Sequence, residues 1–344
     1  MSKKYNVAVV GANGAVGEEI LTILQEVKFP INKLIPLASS RSAGKTVMYA
    51  GREVVIKELT DTVFEEEDVE IALFSAGGSV SAQFASAAVR AGAVVIDNTS
   101  HFRMDENIPL VVPEVNPEDI AKWKKTGIIA NPNCSTIQMV QALKPLDDVY
   151  KILRVDVSTY QATSGAGKTA MEELVAQMQS FFAFKLDEAE VKAFAHRIAL
   201  NVIPQIDKFL DNGYTKEEMK MVNETTKIMH REIPLSATCV RVPTLRGHAE
   251  AVSVKFACEV NADSARKILE KAQNIVILDN PEKSIYPMPS IALEKNETFV
   301  GRIRVDNFDK TILHMFIVAD NLRVGAATNA VRIAQKWIEM VEEK

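Results

Sequence analysis

A short apolar strand followed by three evenly spaced glycines constrains the start of this chain most strongly. Residues 7–10 form a continuous apolar run, as in a buried parallel strand, and Gly11, Gly14 and Gly17 follow. Apolar residues then recur with helical spacing over residues 18–27. A strand, a glycine turn and a helix in this order place the N–H groups of a helix start where a pyrophosphate can bind. The spacing is GxxGxxG rather than GxGxxG, and a glycine-rich turn without a ligand is the alternative.

The pattern of a buried strand with a polar or glycine-rich end recurs along the first part of the chain. Apolar runs lie at 71–74, 94–96 and 128–130, and helical patterns lie between them at 81–91 and 116–125. This alternation predicts a doubly wound parallel sheet of the Rossmann type. Because such sheets bind ligands beyond the carboxyl ends of their strands, we expect the polar strand ends on one side.

The second strand, predicted near residues 34–38, indicates which dinucleotide would bind. NAD sites of this type usually present an acidic side chain there to the ribose 2′-hydroxyl. Here Ser39, Ser40, Arg41 and Ser42 follow, and no carboxylate is present. Because hydroxyl groups and a guanidinium suit a 2′-phosphate, the sequence favours NADP over NAD. A solvent-exposed loop arginine without a ligand is the alternative.

From residue 151 onward the predicted strands alternate between apolar and polar residues. Residues 154–160, 251–260 and 299–306 follow this period of two, which predicts a mostly antiparallel sheet with one face on a core. Helices or a second copy of the chain could cover the other face, so the sequence permits a homodimer. Cys258 falls on the apolar face of the second run and is predicted to be structural.

The last helix is predicted to return to the first domain, since it carries a single apolar stripe at residues 324, 327, 331, 334, 338 and 341.

The expected fold class, from all of these patterns, is α/β. An N-terminal Rossmann-type doubly wound parallel sheet is followed by an α+β domain with a mostly antiparallel sheet, and then by the returning C-terminal helix. The expected dinucleotide-binding domain is 1–130, joined by the C-terminal helix 322–344. The expected catalytic and dimerisation domain is 131–321.

One cysteine lies at a predicted helix start, directly after a turn that contains proline. Asn133 is a good N-cap residue, and the run after Cys134 has an apolar side. A thiol in this position faces unpaired backbone N–H groups and the positive end of the helix dipole, which both favour the nucleophilic thiolate. The same N–H groups can stabilise an oxyanion. A small buried cysteine with only a packing role is the alternative.

Composition limits the other classes of function. A length of 344 residues suggests two domains, and 47% hydrophobic with 25% charged residues is ordinary for a soluble globular protein. A net charge of −5 does not indicate a nucleic-acid or membrane partner. Three cysteines without clustered Cys/His spacing predict neither a disulfide framework nor a metal site. We recognise no signal peptide and no apolar run of about 18 residues, so a cytoplasmic location is expected.

A second glycine-rich segment, residues 161–169, resembles the P-loop of ATPases because it ends in Gly167, Lys168 and Thr169. That motif needs a further glycine five residues before Gly167, and this position is Ala162. The strand before it also alternates, unlike the buried parallel strand of such ATPases. The sequence therefore disfavours an ATPase and favours a glycine-rich turn near a second face of the cofactor.

Taken together, seven segments make the chain resemble the aspartate-semialdehyde dehydrogenase family along essentially its whole length. They are GANGAVG at 11–17, SSRSAGK at 39–45, SHFRM at 100–104, NPNCSTIQ at 131–138, QATSGAGK at 161–168, NETTKI at 223–228 and RVPTLRGHAEA at 241–251. The resemblance implies a reversible, NADP-dependent reductive dephosphorylation of L-aspartyl 4-phosphate to L-aspartate 4-semialdehyde. The reaction would proceed through a cysteine acyl-thioester, on the route to lysine and diaminopimelate, threonine and methionine.

Two alternatives stay open beside this resemblance. N-acetyl-gamma-glutamyl-phosphate reductases share the architecture, although their cysteine turn is closer to Asn-Pro-Gly-Cys-Tyr than to the turn found here. A non-catalytic NADP-binding paralogue is the other alternative; such a protein could lack the nucleophile, whereas Cys134 is present.

The resemblance also implies roles for individual residues. The catalytic residues would be Cys134 as nucleophile, His248 as general acid/base and Gln161 as the group that orients the intermediate. The substrate and phosphate ligands would be Arg241 for the carboxylate, Glu224 for the amine, and Arg103 and Lys227 for phosphate, with Lys220 as a second phosphate candidate. The cofactor contacts would be Gly11, Asn13, Gly14, Ala15, Val16, Ser40, Arg41, Ser42, Ser164, Gly165 and Asn321. Without the resemblance, an exposed basic loop, a helix-surface ion pair or a core histidine would explain the same charged residues.

Overall fold

A computed structural model describes residues 3–342 of the chain. The chain divides into two units: residues up to 133 together with those from 326 onward, and residues 134–325. The predicted first domain begins at residue 1 and the predicted last helix reaches residue 344. Residues 1, 2, 343 and 344 of these predictions lie outside the described residues.

The described part of the chain alternates strands and helices. Its strands are β1 Tyr5–Val10, β2 Ile31–Ala38, β3 Thr46–Tyr49, β4 Arg52–Val55, β5 Lys57–Glu58, β6 Ile71–Phe74, β7 Val94–Asp97, β8 Ile128–Ala130, β9 Ile152–Gln161, β10 Leu235–Arg241, β11 His248–Phe256, β12 Ile275–Ile277, β13 Thr298–Val305 and β14 Ile312–Ala319. Its α-helices are α1 Ala15–Glu26, α2 Val63–Glu66, α3 Gly78–Arg90, α4 Cys134–Tyr150, α5 Lys168–Phe182, α6 Lys216–Ile228, α7 Ala262–Glu270, α8 Pro289–Ala292 and α9 Thr328–Glu342. Short 3₁₀ helices span Pro117–Lys125, Thr163–Ala166, Leu186–Glu188 and Pro281–Lys283, and a π-helical turn spans Arg323–Ala327.

The first unit contains a parallel sheet. Its strand order is β5-β2-β1-β6-β7-β8, and each neighbouring pair is parallel. The strands are buried along nearly their whole length at the centre of the sheet, which explains their continuous apolar sequences. Strands β3 and β4 form a separate antiparallel pair. The predicted helix at 116–125 is a 3₁₀ helix, a distinction that apolar periodicity does not resolve.

Helix α9 belongs to the first unit. Val331, Ala334 and Ile338 lie in the same buried cluster as Val7 of β1 and Ile96 of β7. The stripe of apolar residues on α9 therefore packs on the parallel sheet, as the sequence predicts. Helix α9 near the C-terminal end of the chain thus packs into the same core as β1 near the N-terminal end.

The second unit contains a mixed sheet. Its strand order is β10-β9-β11-β14-β13-β12; the three central pairs are antiparallel and the two outer pairs are parallel. After the first residues of β9 and β10, every second residue of β9, β10 and β11 is buried, as expected for a sheet with one face on a core. Helix α4 packs on β9, β11, β13 and β14, and α6 packs on α4 and β10. The fold class predicted from the sequence is confirmed.

The prediction that Cys258 lies on the apolar face of a strand is wrong. Strand β11 ends at Phe256 after a register irregularity between Lys255 and Phe256, and Cys258 is exposed. The alternation continues in the sequence after the strand has ended, because polar and apolar residues also alternate by chance in a loop. Within residues 3–342, no helix combines the length and the apolar character needed to cross a membrane.

Candidate active site

Cys134 is the first residue of α4 and is half-buried. Its backbone is closely approached by Gly325, where an added Cβ would lie 2.5 Å from Cys134 Cβ. Gly325 belongs to the π-helical turn, and its N–H donates to the Asp320 carbonyl at 3.3 Å. The position at a helix start favours the thiolate form of Cys134, because the backbone N–H groups of the first helical turn and the positive end of the helix dipole lie there.

Arg241 brings a buried positive charge into electrostatic range of this thiol. Burial lowers the pKa of Arg241, and the negative charges of Glu217 and ionised Cys134 oppose that shift. The guanidinium is held by a hydrogen bond from Nη1 to the Ala162 carbonyl at 2.7 Å, and it lies 5.9 Å from the centre of the Phe194 ring. Arg241 therefore stabilises a thiolate at Cys134 and keeps further N–H donors for an anionic ligand.

His248, the first residue of β11, is fully buried. Its Nδ1 accepts a hydrogen bond from the Ala162 N–H at 3.1 Å, and its buried Nε2 has no hydrogen-bond partner among residues 3–342. Burial, followed by the charge of Arg241, lowers the pKa of His248 to about 3. The ring is therefore neutral near pH 7, and because Nδ1 accepts a hydrogen bond, the ring proton resides on Nε2.

Ala162 thus holds two of the predicted site residues at once. Its N–H donates to His248, and its carbonyl accepts from Arg241. The preceding residue, Gln161, is buried, lies opposite Arg241 in the β9–β10 pair, and donates from Nε2 to Thr159 Oγ1 at 3.2 Å. The structure therefore brings Gln161, Arg241 and His248 together on one buried face of the second sheet.

The predicted cofactor contacts of the second unit lie next to His248. Ser164 and Asn321 are joined through their side chains, with Asn321 Nδ2 at 2.9 Å from Ser164 Oγ. Asn321 Oδ1 also accepts from the Gly247 N–H at 2.8 Å. Gly165 is close as well, because an added Cβ there would lie 3.3 Å from His248 Nε2 and 3.0 Å from Arg241 Nη1.

Helix α6 presents acidic and basic residues, and one of them, Glu217, is not among the residues predicted from the sequence. Glu217 is buried and its charge raises the pKa of both Arg241 and His248, against the larger effect of burial. Lys220 Nζ contacts Glu217 Oε2 at 2.9 Å and Asp207 Oδ2 at 3.3 Å. Glu224 is also buried, and Lys227 is half-buried. Glu217 lies two helical turns before Glu224 and therefore shares its helix face. This spacing is visible in the sequence and could have marked Glu217 as a second candidate beside Glu224.

A cavity of about 250 Å³ opens beside Arg241. It is also lined by Phe194, Gln205 and Asp207. Arg241 and Asp207 place one charge of each sign on its wall, which suits a small zwitterionic ligand.

In the first unit, each glycine of the turn after β1 has a distinct structural reason. Gly11 adopts φ +87°, a conformation that favours glycine. An added Cβ at Gly17 would lie 2.1 Å from the Gly11 carbonyl oxygen, so only glycine permits this close approach. Gly14 is the N-cap residue of α1 and offers no side chain to the first N–H groups of the helix. Those N–H groups remain accessible to an anionic ligand.

The predicted 2′-phosphate loop lies beside this turn. Asn13 Nδ2 donates to Ser42 Oγ at 2.8 Å, so the two predicted cofactor segments are in direct contact. Ser40 and Arg41 are exposed, and Ala15 and Val16 form the start of α1. A guanidinium on the surface next to a helix N-terminus is suited to a dinucleotide that carries an additional phosphate.

Arg103 is buried in the first unit. Its Nε donates to the Asn131 carbonyl at 2.9 Å, and its Nη2 donates to the Asn98 carbonyl at 2.8 Å. These bonds connect the loop after β7 to the turn that precedes Cys134 in the chain. Arg103 is thus a fixed cation rather than a solvated surface charge.

Comparisons with known proteins agree with this arrangement. A family model described as "Semialdehyde dehydrogenase, NAD binding domain" matches residues 6–123, and one described as "Semialdehyde dehydrogenase, dimerisation domain" matches residues 143–324. An aspartate-semialdehyde dehydrogenase of Campylobacter jejuni is 62% identical over 340 residues, which are 99% of each chain.

Two solved structures extend this similarity to the fold. Aspartate semialdehyde dehydrogenase II of Vibrio cholerae, complexed with ASA, aligns with a TM-score of 0.95 at 48% identity, over 98% of this chain and 99% of that one. The Candida albicans aspartate semialdehyde dehydrogenase with NADP aligns with a TM-score of 0.76 at 25% identity, over 98% and 99%. This chain belongs to the aspartate-semialdehyde dehydrogenase family.

Proposed function

We propose that this protein catalyses the reversible, NADP-dependent reductive dephosphorylation of L-aspartyl 4-phosphate to L-aspartate 4-semialdehyde. The reaction serves the aspartate pathway to lysine and diaminopimelate, threonine and methionine. The observation that carries the proposal is the cluster in the second unit: Cys134 begins α4, Arg241 acts on its charge, and Arg241 and His248 are both bonded to Ala162.

In the proposed reaction, the Cys134 thiolate attacks the acyl carbonyl of aspartyl phosphate. Phosphate leaves, and the acyl group remains on sulfur as a thioester. NADPH, when bound, would supply the hydride that reduces this thioester. The resulting thiohemiacetal on Cys134 then collapses, which releases the aldehyde and regenerates the thiol. Arg241 binds the substrate carboxylate, since a guanidinium can donate two parallel hydrogen bonds to it.

His248 can serve the carbonyl oxygen in this reaction. With the Ala162 hydrogen bond in place, it presents Nε2–H as a donor to an oxyanion. Proton transfer is the role that the sequence resemblance implies for His248. When the neutral ring gains a proton, it becomes an imidazolium with a proton on both nitrogens, and Nδ1 can no longer accept a hydrogen bond from the Ala162 N–H. Proton transfer therefore requires the ring to move away from the Ala162 N–H. Gln161 on the neighbouring strand orients the acyl intermediate.

NADP fits the residues of the chain. The uncapped N-terminus of α1, with Gly11, Asn13, Gly14, Ala15 and Val16, would hold the pyrophosphate. The contact between Asn13 and Ser42 supports a continuous surface for the ribose, and Ser40 and Arg41 would hold the 2′-phosphate. In the second unit, the resemblance predicts Ser164, Gly165 and Asn321 as cofactor contacts.

The substrate ammonium and the phosphate each have two candidate partners on α6. The resemblance predicts Glu224 for the ammonium and Lys227, with Arg103, for phosphate. The electrostatic effect of Glu217 on Arg241 and His248 supports Glu217 for the ammonium, and its partner Lys220 for phosphate. Steady-state kinetics of E217Q and E224Q separate the two. The carboxylate that binds the substrate should raise the KM for aspartate semialdehyde by tenfold or more on neutralisation, on the order expected for one charge-assisted hydrogen bond.

The proposal includes the assembly and the location of the enzyme. The face of the second sheet that carries Arg154, Tyr160 and Lys255 is exposed in a single chain. We propose that two copies associate through this face in a homodimer, and that the dimer functions in the cytoplasm.

The direct test is an assay of purified protein with aspartate semialdehyde, phosphate and NADP, followed by NADPH absorbance. Turnover that requires phosphate supports the proposal, and C134A should abolish it while NADP binding persists. Turnover only with N-acetyl-glutamate semialdehyde would assign the protein to the related reductases instead. Binding of NADP with no turnover of either aldehyde would indicate a non-catalytic paralogue.

A further inference from the structure

Glu250 is a fully buried carboxyl group to which the proposed mechanism gives no role. Neither of its carboxyl oxygens has a hydrogen bond of ordinary geometry among residues 3–342, although the Gln138 side chain lies near enough to affect its ionisation as a donor. Burial raises its pKa well above the ordinary value for glutamate. A buried carboxyl without a compensating cation is kept neutral, because ionisation in a low-dielectric site is costly. Glu250 is therefore a carboxylic acid near neutral pH, able both to donate and to accept a hydrogen bond.

The location of Glu250 connects it to both proposed reacting groups. It lies two residues after His248 on β11, so the two side chains point to the same face of the sheet. Helix α4 packs on this strand, and Gln138 lies one turn after Cys134 on that helix. The Gln138 side chain is close enough to act on the ionisation of Glu250. The buried Gln138 Nε2 also lacks a hydrogen-bond partner within residues 3–342.

We propose that Glu250, as a neutral acid, is a positioning residue that pairs with Gln138 and sets the spacing between Cys134 and His248. The pair is a cyclic acid–amide contact, in which the Glu250 O–H donates to Gln138 Oε1 and Gln138 Nε2–H donates to the other Glu250 oxygen. It satisfies the Glu250 oxygens and the Gln138 nitrogen, which otherwise have no partner. It connects the second turn of the Cys134 helix to the third residue of the His248 strand. This inference rests on the proposed function for its effect on turnover.

Kinetics of two Glu250 variants and a matched control test the positioning role. Because E250A removes the pair, kcat should fall by at least about tenfold while the KM for aspartate semialdehyde stays within about twofold. E250Q supplies a neutral amide of the same shape and should recover most of the kcat that E250A loses. V252A truncates the next residue on the same buried face and should lower stability, with kcat within about twofold of wild type. Equal losses in E250Q and E250A, or equal kcat in E250A and V252A, would overturn the proposal.

A second measurement does not depend on any activity. A carboxyl group whose pKa is raised in the folded state lowers the stability of the protein as the pH rises above the pKa of that group in the unfolded chain, about 4.5. The unfolding temperature of E250Q should therefore exceed that of wild type by an amount that grows between about pH 5 and pH 8. Five elements place side chains toward or beside Glu250: Gln138 on α4, Thr159 on β9, Cys239 on β10, His248 on β11 and Ile317 on β14. Of these side chains, Cys239 and His248 are titratable.

The two measurements separate this inference from the proposed function. A constant difference in unfolding temperature across this pH range would show that Glu250 is already ionised, and would overturn the neutral acid. A wild-type protein that fails to oxidise aspartate semialdehyde would instead overturn the proposed function, while the result of the pH series would still stand.

Discussion

Adding one methyl group at Gly325 should disable the enzyme without unfolding it. The Cβ of an alanine there would lie 2.5 Å from Cys134 Cβ and 3.0 Å from Cys134 Cα. Carbon atoms in contact are ordinarily separated by about 3.5–4.0 Å, so the overlap is about 1 Å or more. The atoms involved are at the backbone of Cys134, so no side-chain rotation can relieve the overlap and α4 or the π-helical turn must shift. Overpacking of this kind costs about 1–3 kcal/mol of stability.

The effect on catalysis should be larger than the effect on folding. Because a displacement of about 1 Å in a reacting group can reduce the rate by about 100-fold, G325A should lower kcat by that order. Urea unfolding and steady-state kinetics measure the two effects on the same preparation. G213A is the control, since an added Cβ at Gly213 meets no atom within 4 Å and only the strain of its φ of +83° remains. A folded G325A variant with the kcat of wild type would refute the proposed position of the nucleophile.

Two further predictions concern the cofactor and the histidine. Arg41→Ala should lower kcat/KM for NADP by about tenfold or more, because only NADP carries the 2′-phosphate. The value for NAD should stay within about twofold. Equal losses with both cofactors would contradict the assignment of Arg41 to the 2′-phosphate. The pKa of His248 is lowered to about 3, so the unfolded state takes up a proton first as the pH falls below about 6.5, and this histidine should subtract up to about 1.4 kcal/mol of stability per pH unit, against the opposite contribution of Glu250 above about pH 4.5. In urea unfolding between about pH 6.5 and pH 4, the stability of H248Q relative to wild type should therefore rise as the pH falls, while the exposed-histidine variant H196Q should keep a constant difference from wild type. A constant difference between H248Q and wild type would contradict a buried neutral ring.

Much of the fold was predictable because its signals are local. The turn after β1 needs glycine at Gly11 for its backbone conformation and at Gly17 for a close contact, and both requirements appear in the sequence as a fixed spacing. The start of α4 at Cys134 was predictable for the same reason, since a turn and an N-cap residue precede an apolar run. The failure at Cys258 shows the limit of this approach, because a period of two does not reveal where a strand ends.

The parts of the site that were missed depend on contacts between distant segments. Helix α6 carries two Glu–Lys pairs with the same spacing, at 217 with 220 and at 224 with 227, and the sequence does not indicate which pair faces Arg241. The tautomer of His248 is determined by the Ala162 N–H, 86 residues away in the chain. Glu250 looks like any polar residue in a strand until the buried face and its neighbour Gln138 are known. Such properties follow from tertiary structure and not from local pattern.

The central claim is that Cys134 carries the acyl group of the substrate as a thioester. Mass spectrometry of protein incubated with aspartate semialdehyde and NADP, but without phosphate, tests it most directly, because the thioester then lacks its normal acceptor. We predict one aspartyl adduct on the peptide that contains Cys134, its loss when phosphate is added, and its absence in C134A. An adduct on Cys239 or Cys258 instead, or continued formation in C134A, would contradict the assignment of the nucleophile.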